Sequence, residues 1–324
     1  MENRSVNTSE VLLDNNQLRI SLEDGGEVSL SAQYAWQLVE HARDLLIESS
    51  ERLKTPIVSS LSVNKRTFNV MVNKNLNFWK LLASGRWEPN TYSVFDRFVT
   101  ADHVYLDIGA WIGPTVLYAA QLAKSAYAFE PDPIAYRELK INVELNSDQA
   151  WARKLMIFNK AVTRDTQNLR IGNRGNGGDS TSSALFSHEN TAWEVEGTRL
   201  QDLITSHGLE KEKLFIKIDI EGGEYDLIPS IAGLLGSHDT TLLLSLHPDF
   251  LKQYLDKSSK SNFLARSWQR LIFFRKHLGL VRSLPFRHIY TSDGKKLYPL
   301  RELIRAFCKG SFAKEIVATN STWN

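Results

Sequence analysis

Two acids and a histidine in the second half of the chain have the types and spacing needed to move a proton. Asp219 closes an apolar run, Leu214 to Ile218, and Glu221 follows just ahead of Gly222 and Gly223. His247 closes a second apolar run, Leu242 to Leu246, and stands immediately before Pro248. A hydroxyl is a weak nucleophile near neutral pH, and a carboxylate or imidazole held against it accepts its proton as the new bond forms. Asp219, Glu221 and His247 are therefore the catalytic candidates, with Glu224 beyond them at the first turn of the next predicted helix. Each also has an ordinary reading. Asp219 can accept from turn amides, Glu224 can favour a helix dipole, and His247 can simply end a strand. Carboxylate and imidazole suit several divalent ions, but no dense ligand cluster accompanies them, so no metal is expected.

A second constellation lies around residue 107. Asp107-Ile108-Gly109-Ala110-Trp111-Ile112-Gly113 continues a short apolar run that begins at Val104. Gly109 permits a sharp turn, Ala110 leaves room for a ligand, and Gly113 lets the next helix sit close to the strand. A dinucleotide fingerprint needs glycines at positions 111 and 114, which are Trp111 and Pro114, and the lysine of a phosphate-binding loop is missing. Glu130 ends the following run, Ala126 to Phe129, where an acid suits ribose hydroxyls. A glycine turn, a ribose acid and no phosphate ligand point to S-adenosylmethionine as cofactor. Its expected contacts are Asp107, Gly109, Ala110, Trp111, Gly113, Glu130, Pro131, Asp132 and Asp219. By topology alone, Asn159 and Ala161 at the end of the third strand border the adenine ring.

These residues need a frame that brings strand ends together. From His103 onward, strand-like runs at Val104–Ile108, Ala126–Phe129, Leu155–Val162, Leu214–Ile218 and Leu242–Leu246 alternate with helical segments. That alternation predicts an open, doubly wound α/β sheet with ligands at the carboxyl ends of its strands. Ahead of it, residues 1–100 read as an α+β cap. A hairpin spans Leu18 to Leu30 around Asp24-Gly25-Gly26, a helix covers roughly 32–53, Phe68, Val70 and Val72 alternate, and a short helix runs from Phe78 to Ala83. Residues 101–250 form the cofactor domain, interrupted at 163–200 by an insertion with a polar, glycine-rich loop and a strand at Trp193–Val195. Residues 251–324 form a basic, helical extension.

The motifs are recognisable. The chain resembles the FkbM-type methyltransferases, S-adenosylmethionine-dependent enzymes acting mainly on hydroxyl oxygens of natural products and glycans. The matching segments are Leu106–Ala110, Ala128-Phe129-Glu130-Pro131-Asp132-Pro133 and Ile216-Lys217-Ile218-Asp219-Ile220-Glu221-Gly222-Gly223-Glu224, the last being the most family-specific. The resemblance covers roughly residues 85–250 and implies a Rossmann-like class I methyltransferase sheet. It also implies that the segment carrying Trp87, Glu88 and Thr91 borders the methionine end of the cofactor. Trp111 stands where asparagine is usual, Gly223 where alanine is usual, and Ser245 where many members carry a glutamate.

Composition sets the outer limits. In 324 residues, 42% hydrophobic and 23% charged content excludes wholesale disorder. A single cysteine, Cys308, excludes an intrachain disulfide and multi-cysteine metal sites. No apolar stretch approaches the roughly 18 residues of a membrane span, and the polar opening is no signal peptide, so a cytoplasmic protein is expected. The net charge of +2 conceals an asymmetry: residues 260–301 hold ten Lys/Arg against Asp293 alone. Phe263, Leu264, Trp268, Leu271, Ile272 and Phe274 lie among Arg266, Arg270, Arg275 and Lys276, as in a basic amphipathic helix. One reading is a lid with a solvated basic face. The other is attraction of a phosphorylated or lipid-linked sugar or glycan acceptor, or peripheral contact with an anionic membrane. The near-neutral total argues against a nucleic-acid partner. The rival functions are an RNA 2′-O-methyltransferase and a non-catalytic S-adenosylmethionine-binding module.

Overall fold

The computed structural model describes residues 10–14, 17–21, 27–31, 33, 34, 37, 56–173, 178, 191–257, 263–309 and 311–323. The chain separates into two compact units, Met1–Ile57 and Val58–Asn324. In the first, strands β1 (Glu10–Asp14), β2 (Gln17–Ser21) and β3 (Glu27–Ser31) form an antiparallel meander. The expected hairpin is its second half, with Leu18 opposite Leu30 and Ile20 opposite Val28. Apart from residues 33, 34 and 37, which are helical, the helix expected over 32–53 lies outside the described residues, as does most of the polar insertion loop.

The second unit is built on a seven-stranded sheet. Its parallel strands are β6 (His103–Ile108), β7 (Ser125–Phe129), β8 (Leu155–Phe158), β13 (Lys213–Ile218) and β14 (Thr240–Ser245). The chain runs outward from β6 through β7 to β8, then returns to lay β13 on the other side of β6 and β14 beyond it. This places the switch point of the sheet between the ends of β6 and β13, where a crevice opens. Both faces are covered, so these strands read as continuous apolar runs. Val104, Leu106, Ile108, Ile216 and Leu244 point into one core, and Tyr105, Phe215 and Leu243 into the other.

The second core also contains β4 (Val58–Val63), β5 (Arg66–Met71), α1 (Leu76–Ala83) and α2 (Pro89–Phe98). Phe68, Val70, Trp79 and Phe95 are buried there beside the sheet. Residues 58–98 thus pack as part of the sheet's own unit, and the division of the chain falls before Val58. Met71 and Asn69 donate their main-chain N–H groups to Asn142 and Asn146 of α4 (Pro133–Glu144) and its following turn, pinning the β4–β5 hairpin down.

Two further differences bear on the site. The run expected as one strand over 155–162 breaks after Phe158, because Asn159 Nδ2 donates to the carbonyls of Glu130 and Pro131 and bends the chain. Beyond the bend, β9 (Ala161–Thr163) leaves the sheet and pairs with β12 (Gly197–Arg199), while β10 (Leu169–Asn173) pairs with β11 (Thr191–Val195). The C-terminal extension, expected to be helical, also supplies two strands. β15 (His288–Thr291) and β16 (Glu315–Thr319) complete the sheet, with β16 inserted antiparallel between β14 and β15. Among the described residues, no helix is long and apolar enough to cross a membrane.

Candidate active site

The ends of β6, β7, β13 and β14 open into one cleft of about 730 Å³. Gly109 forms its floor. Its φ is +84°, and a Cβ there would lie 1.8 Å from the main-chain oxygen of Asp219, so only glycine fits between the two strand ends. The Gly109 and Ala110 N–H groups donate to the Phe129 carbonyl, which ties the turn to β7. Trp111 follows with φ +50°, and its N–H donates to Glu130 Oε2 at 2.7 Å. Glu130 Oε1 accepts from the Asp132 N–H at 2.8 Å. Both oxygens are thus oriented by the main chain, with lone pairs left for a ligand. Burial pushes the Glu130 carboxyl up to about 8.

The opposite wall carries the acids and the imidazole. After β13 the chain turns through Asp219, Glu221 (φ +52°) and Gly222 (φ +104°) into α6 (Glu224–Ser230). His247, just past β14, meets them: Nδ1 lies 2.6 Å from Glu224 Oε1, and Nε2 lies 3.2 Å from Glu221 Oε2 and 3.5 Å from Asp219 Oδ1. Burial alone would lower the imidazole. The Glu224 hydrogen bond and the charges of Glu224, Asp219 and Glu221 reverse this and raise it to about 9. Burial pushes Glu221 up to about 8 and raises Glu224 as well. These groups share protons, so the cluster titrates as a unit. Asp219, Glu224 and His247 each offer a ligand atom within 4.8 Å of the others, a spacing a cation could bridge, although one Glu224 oxygen is already engaged by His247.

Of the residues expected at the cofactor, Glu88, Gly109, Ala110, Trp111, Glu130, Pro131, Ala161 and Asp219 line the cleft, as do Glu221 and His247. Asp107, Gly113, Thr91, Asp132 and Asn159 do not. Asp107 has no exposed surface and sits under the floor, accepting from Thr115, Tyr105 and Lys217. Gly113 packs against Leu117 and Leu139. Asp132 caps α4 through the N–H groups of Ile134 and Ala135, and its other oxygen accepts from Gly178 of the insertion. Thr91 donates to Glu315 at 2.8 Å. Glu88 itself holds a left-handed φ of +40° ahead of Pro89, and burial with the nearby charges of Asp219 and Glu315 raises it to about 7.

Sequence reasoning assigned no role to Lys217. This buried lysine lies 3.1 Å from Asp107, donates to the Gly109 carbonyl and stands 3.7 Å from Asp219. Burial would lower its ammonium, but Asp107, Asp219 and Glu88 together raise it. The signal was available as a lysine inside an otherwise apolar run, Leu214 to Ile218. Glu315 was missed because it comes from β16. The lining holds seven carboxylates, Glu88, Glu130, Asp219, Glu221, Asp226, Asp249 and Glu315, against four Lys/Arg. All four of those bases are paired with acids: Lys160 with Glu196, Arg164 with Asp165, Lys217 with Asp107, and Lys314 with Asp249. The cleft is therefore suited to a cationic ligand.

Residues 107–259 match the methyltransferase FkbM domain. These residues of the chain therefore form a methyltransferase FkbM domain. Among solved structures it is similar to a methyltransferase FkbM from Methylobacillus flagellatus KT, at 15% identity and TM-score 0.33, over 54% of this chain and 45% of that one. The match thus spans less than half of that protein's length. A TehB-like SAM-dependent methyltransferase from Corynebacterium glutamicum ATCC 13032 Kitasato matches at 11% identity and TM-score 0.37, over 76% of this chain and 94% of that one. An rRNA methylase from Streptococcus thermophilus matches at 12% identity and TM-score 0.28, over 51% and 76%. No curated protein matches the chain. The most specific of the family's motifs, residues 216–224, is the segment that delivers Lys217, Asp219 and Glu221 to the cleft and Glu224 to the buried side of His247.

Proposed function

We propose that this protein, through its FkbM domain, transfers a methyl group from S-adenosylmethionine to a hydroxyl oxygen of a sugar, glycan or other secondary metabolite. The carrying observation is that one acid-rich cleft holds both the Gly109–Glu130 turn and the imidazole–carboxylate cluster of His247. The residues fit the cofactor in shape and charge. Gly109 keeps the β6 and β13 ends close together at the floor of the cleft, and seven carboxylates in its lining favour a positively charged ligand. Glu130 with Ala161 would hold the ribose and adenine side, and Glu88 and Asp219 the amino-acid side. When bound, S-adenosylmethionine supplies an electrophilic methyl group on a cationic sulfur.

The chain's own task is to orient the acceptor and take one proton. Glu224, buried and bonded to Nδ1, fixes the imidazole so that Nε2 faces the cleft between Asp219 and Glu221. An acceptor hydroxyl reaching Nε2 would give its proton to the imidazole, and the resulting imidazolium would be stabilised by the neighbouring carboxylates. A cationic ligand beside Asp219 lowers the imidazole by charge repulsion, which frees Nε2 to act as the base when the site is loaded.

The test is methyl transfer from labelled cofactor into a cell extract, with mass analysis of the product. An alkali-stable, nuclease-resistant methyl ether is expected, with His247→Ala losing turnover about 10²–10⁴-fold while cofactor binding persists. A nuclease-sensitive product would point to RNA. Undiminished turnover after replacing Asp219, Glu221 and His247 in turn would remove the proposed base.

A further inference from the structure

The helix pair at the C-terminal side leaves an apolar face uncovered. In α10 (Pro299–Lys309), the apolar residues Leu300, Leu303, Ile304 and Phe307 recur at helical spacing, the pattern of a face meant to be buried. Only Leu303 is buried. Leu300, Ile304 and Phe307 are 71%, 55% and 59% exposed. Neighbouring α9 (Phe263–Arg282) packs against α10, and its Phe274 ring meets Phe307 edge-on at 5.4 Å. Leu271 and Trp268 continue along α9 from that contact at three-residue steps, and Trp268 is 61% exposed. The expected amphipathic helix over 263–276 is thus replaced by a two-helix arrangement. α9 has apolar residues all round, with Phe273, His277 and Leu280 inward, and α10 carries the sharply divided face.

The rim of this face is cationic. Arg270 and Arg275 on α9 and Arg301, Arg305 and Lys309 on α10 are exposed. The acids over residues 263–309 are Asp293, which pairs with Lys295, and Glu302, which is buried against Arg305. An isologous contact between two copies would set this charge against itself, which disfavours a dimer. Leucine, isoleucine and phenylalanine on one side, arginine flanks, and a tryptophan at the margin match a surface that lies in a bilayer interface.

We propose that α9 and α10 dock this protein peripherally on a membrane containing anionic lipids. Leu300, Ile304 and Phe307 enter the interface, and the surrounding arginines and Lys309 meet the headgroups. On its buried side α9 is tied to α6: His277 Nε2 lies 3.0 Å from the Tyr225 hydroxyl, and Tyr225 follows Glu224.

The test is co-sedimentation of the full chain with vesicles of phosphatidylcholine plus phosphatidylglycerol, and with phosphatidylcholine alone. Binding to the anionic vesicles is expected, falling at least about tenfold between low and high salt. Ile304→Glu with Phe307→Glu, and separately Arg301→Glu with Lys309→Glu, should each reduce it at least about tenfold. Both double variants should keep the parental circular dichroism and cofactor affinity. Absence of binding at low salt overturns the proposal, as does equal binding by parent and variants. A concentration-dependent dimer abolished by Phe307→Glu would also overturn it, by making the face a protein interface.

Discussion

Nδ1 of His247 lies 2.6 Å from Oε1 of Glu224, a carboxylate with no exposed surface. This contact is among the largest influences raising the imidazole to about 9, so the base carries a proton at neutral pH in the free enzyme. A base works only after losing that proton, so kcat/KM is expected to rise with pH along a limb near 9. Glu224→Gln keeps an acceptor for Nδ1 but removes the charge, and should move the limb down by about one to three units. A pH–rate profile of parent and variant checks this. An unmoved limb would assign it to another group.

Cofactor binding should have its own pH dependence. Glu88 is raised to about 7 and Glu130 and Glu221 to about 8, each first of all by burial. Ionised carboxylates attract a cation and protonated ones do not. Affinity for S-adenosylmethionine is therefore expected to increase between about pH 6 and 9, with protons released on binding. Calorimetry in buffers of different ionisation enthalpy measures both. Affinity that falls with pH over this range would contradict it.

Gly109→Ala should abolish cofactor binding and destabilise the fold. The added methyl would overlap the Asp219 main-chain oxygen at 1.8 Å, in a φ of +84° that alanine resists. Separation of the β6 and β13 ends is the only relief. Thermal unfolding and cofactor titration of the variant read the two effects.

Lys217→Met should cost about 3–5 kcal/mol, because it strands the Asp107 carboxylate without solvent. Adding Asp107→Asn should recover much of that loss. Chemical denaturation of the single and double variants provides the cycle. Full recovery of stability without recovery of turnover would show that the ammonium also serves Asp219, 3.7 Å away.

The legible part of the site is the part that strand ends dictate. Asp219, His247 and Glu130 each follow an apolar run directly and Glu221 stands two residues beyond Asp219, so their convergence at one edge could be read from order alone. Asp107 could not be placed, because its partner is set by register: β6 and β13 bring Asp107 opposite Lys217, and no local pattern announces that pairing. The Asn159 bend was equally hidden, since it depends on carbonyls at Glu130 and Pro131. The α10 stripe was visible at 300, 303, 304 and 307, but its spacing alone could not say that three of the four face outward.

The position of β16 has a consequence for biosynthesis. It is the last of the described strands to be made, yet it lies inside the sheet, between β14 and β15. Until residue 319 has left the ribosome, β14 presents an unpaired edge and Glu315 is missing from the cleft. The growing chain therefore carries an open sheet edge from the completion of β14 until this strand slots in, an interval in which that edge can pair with other chains.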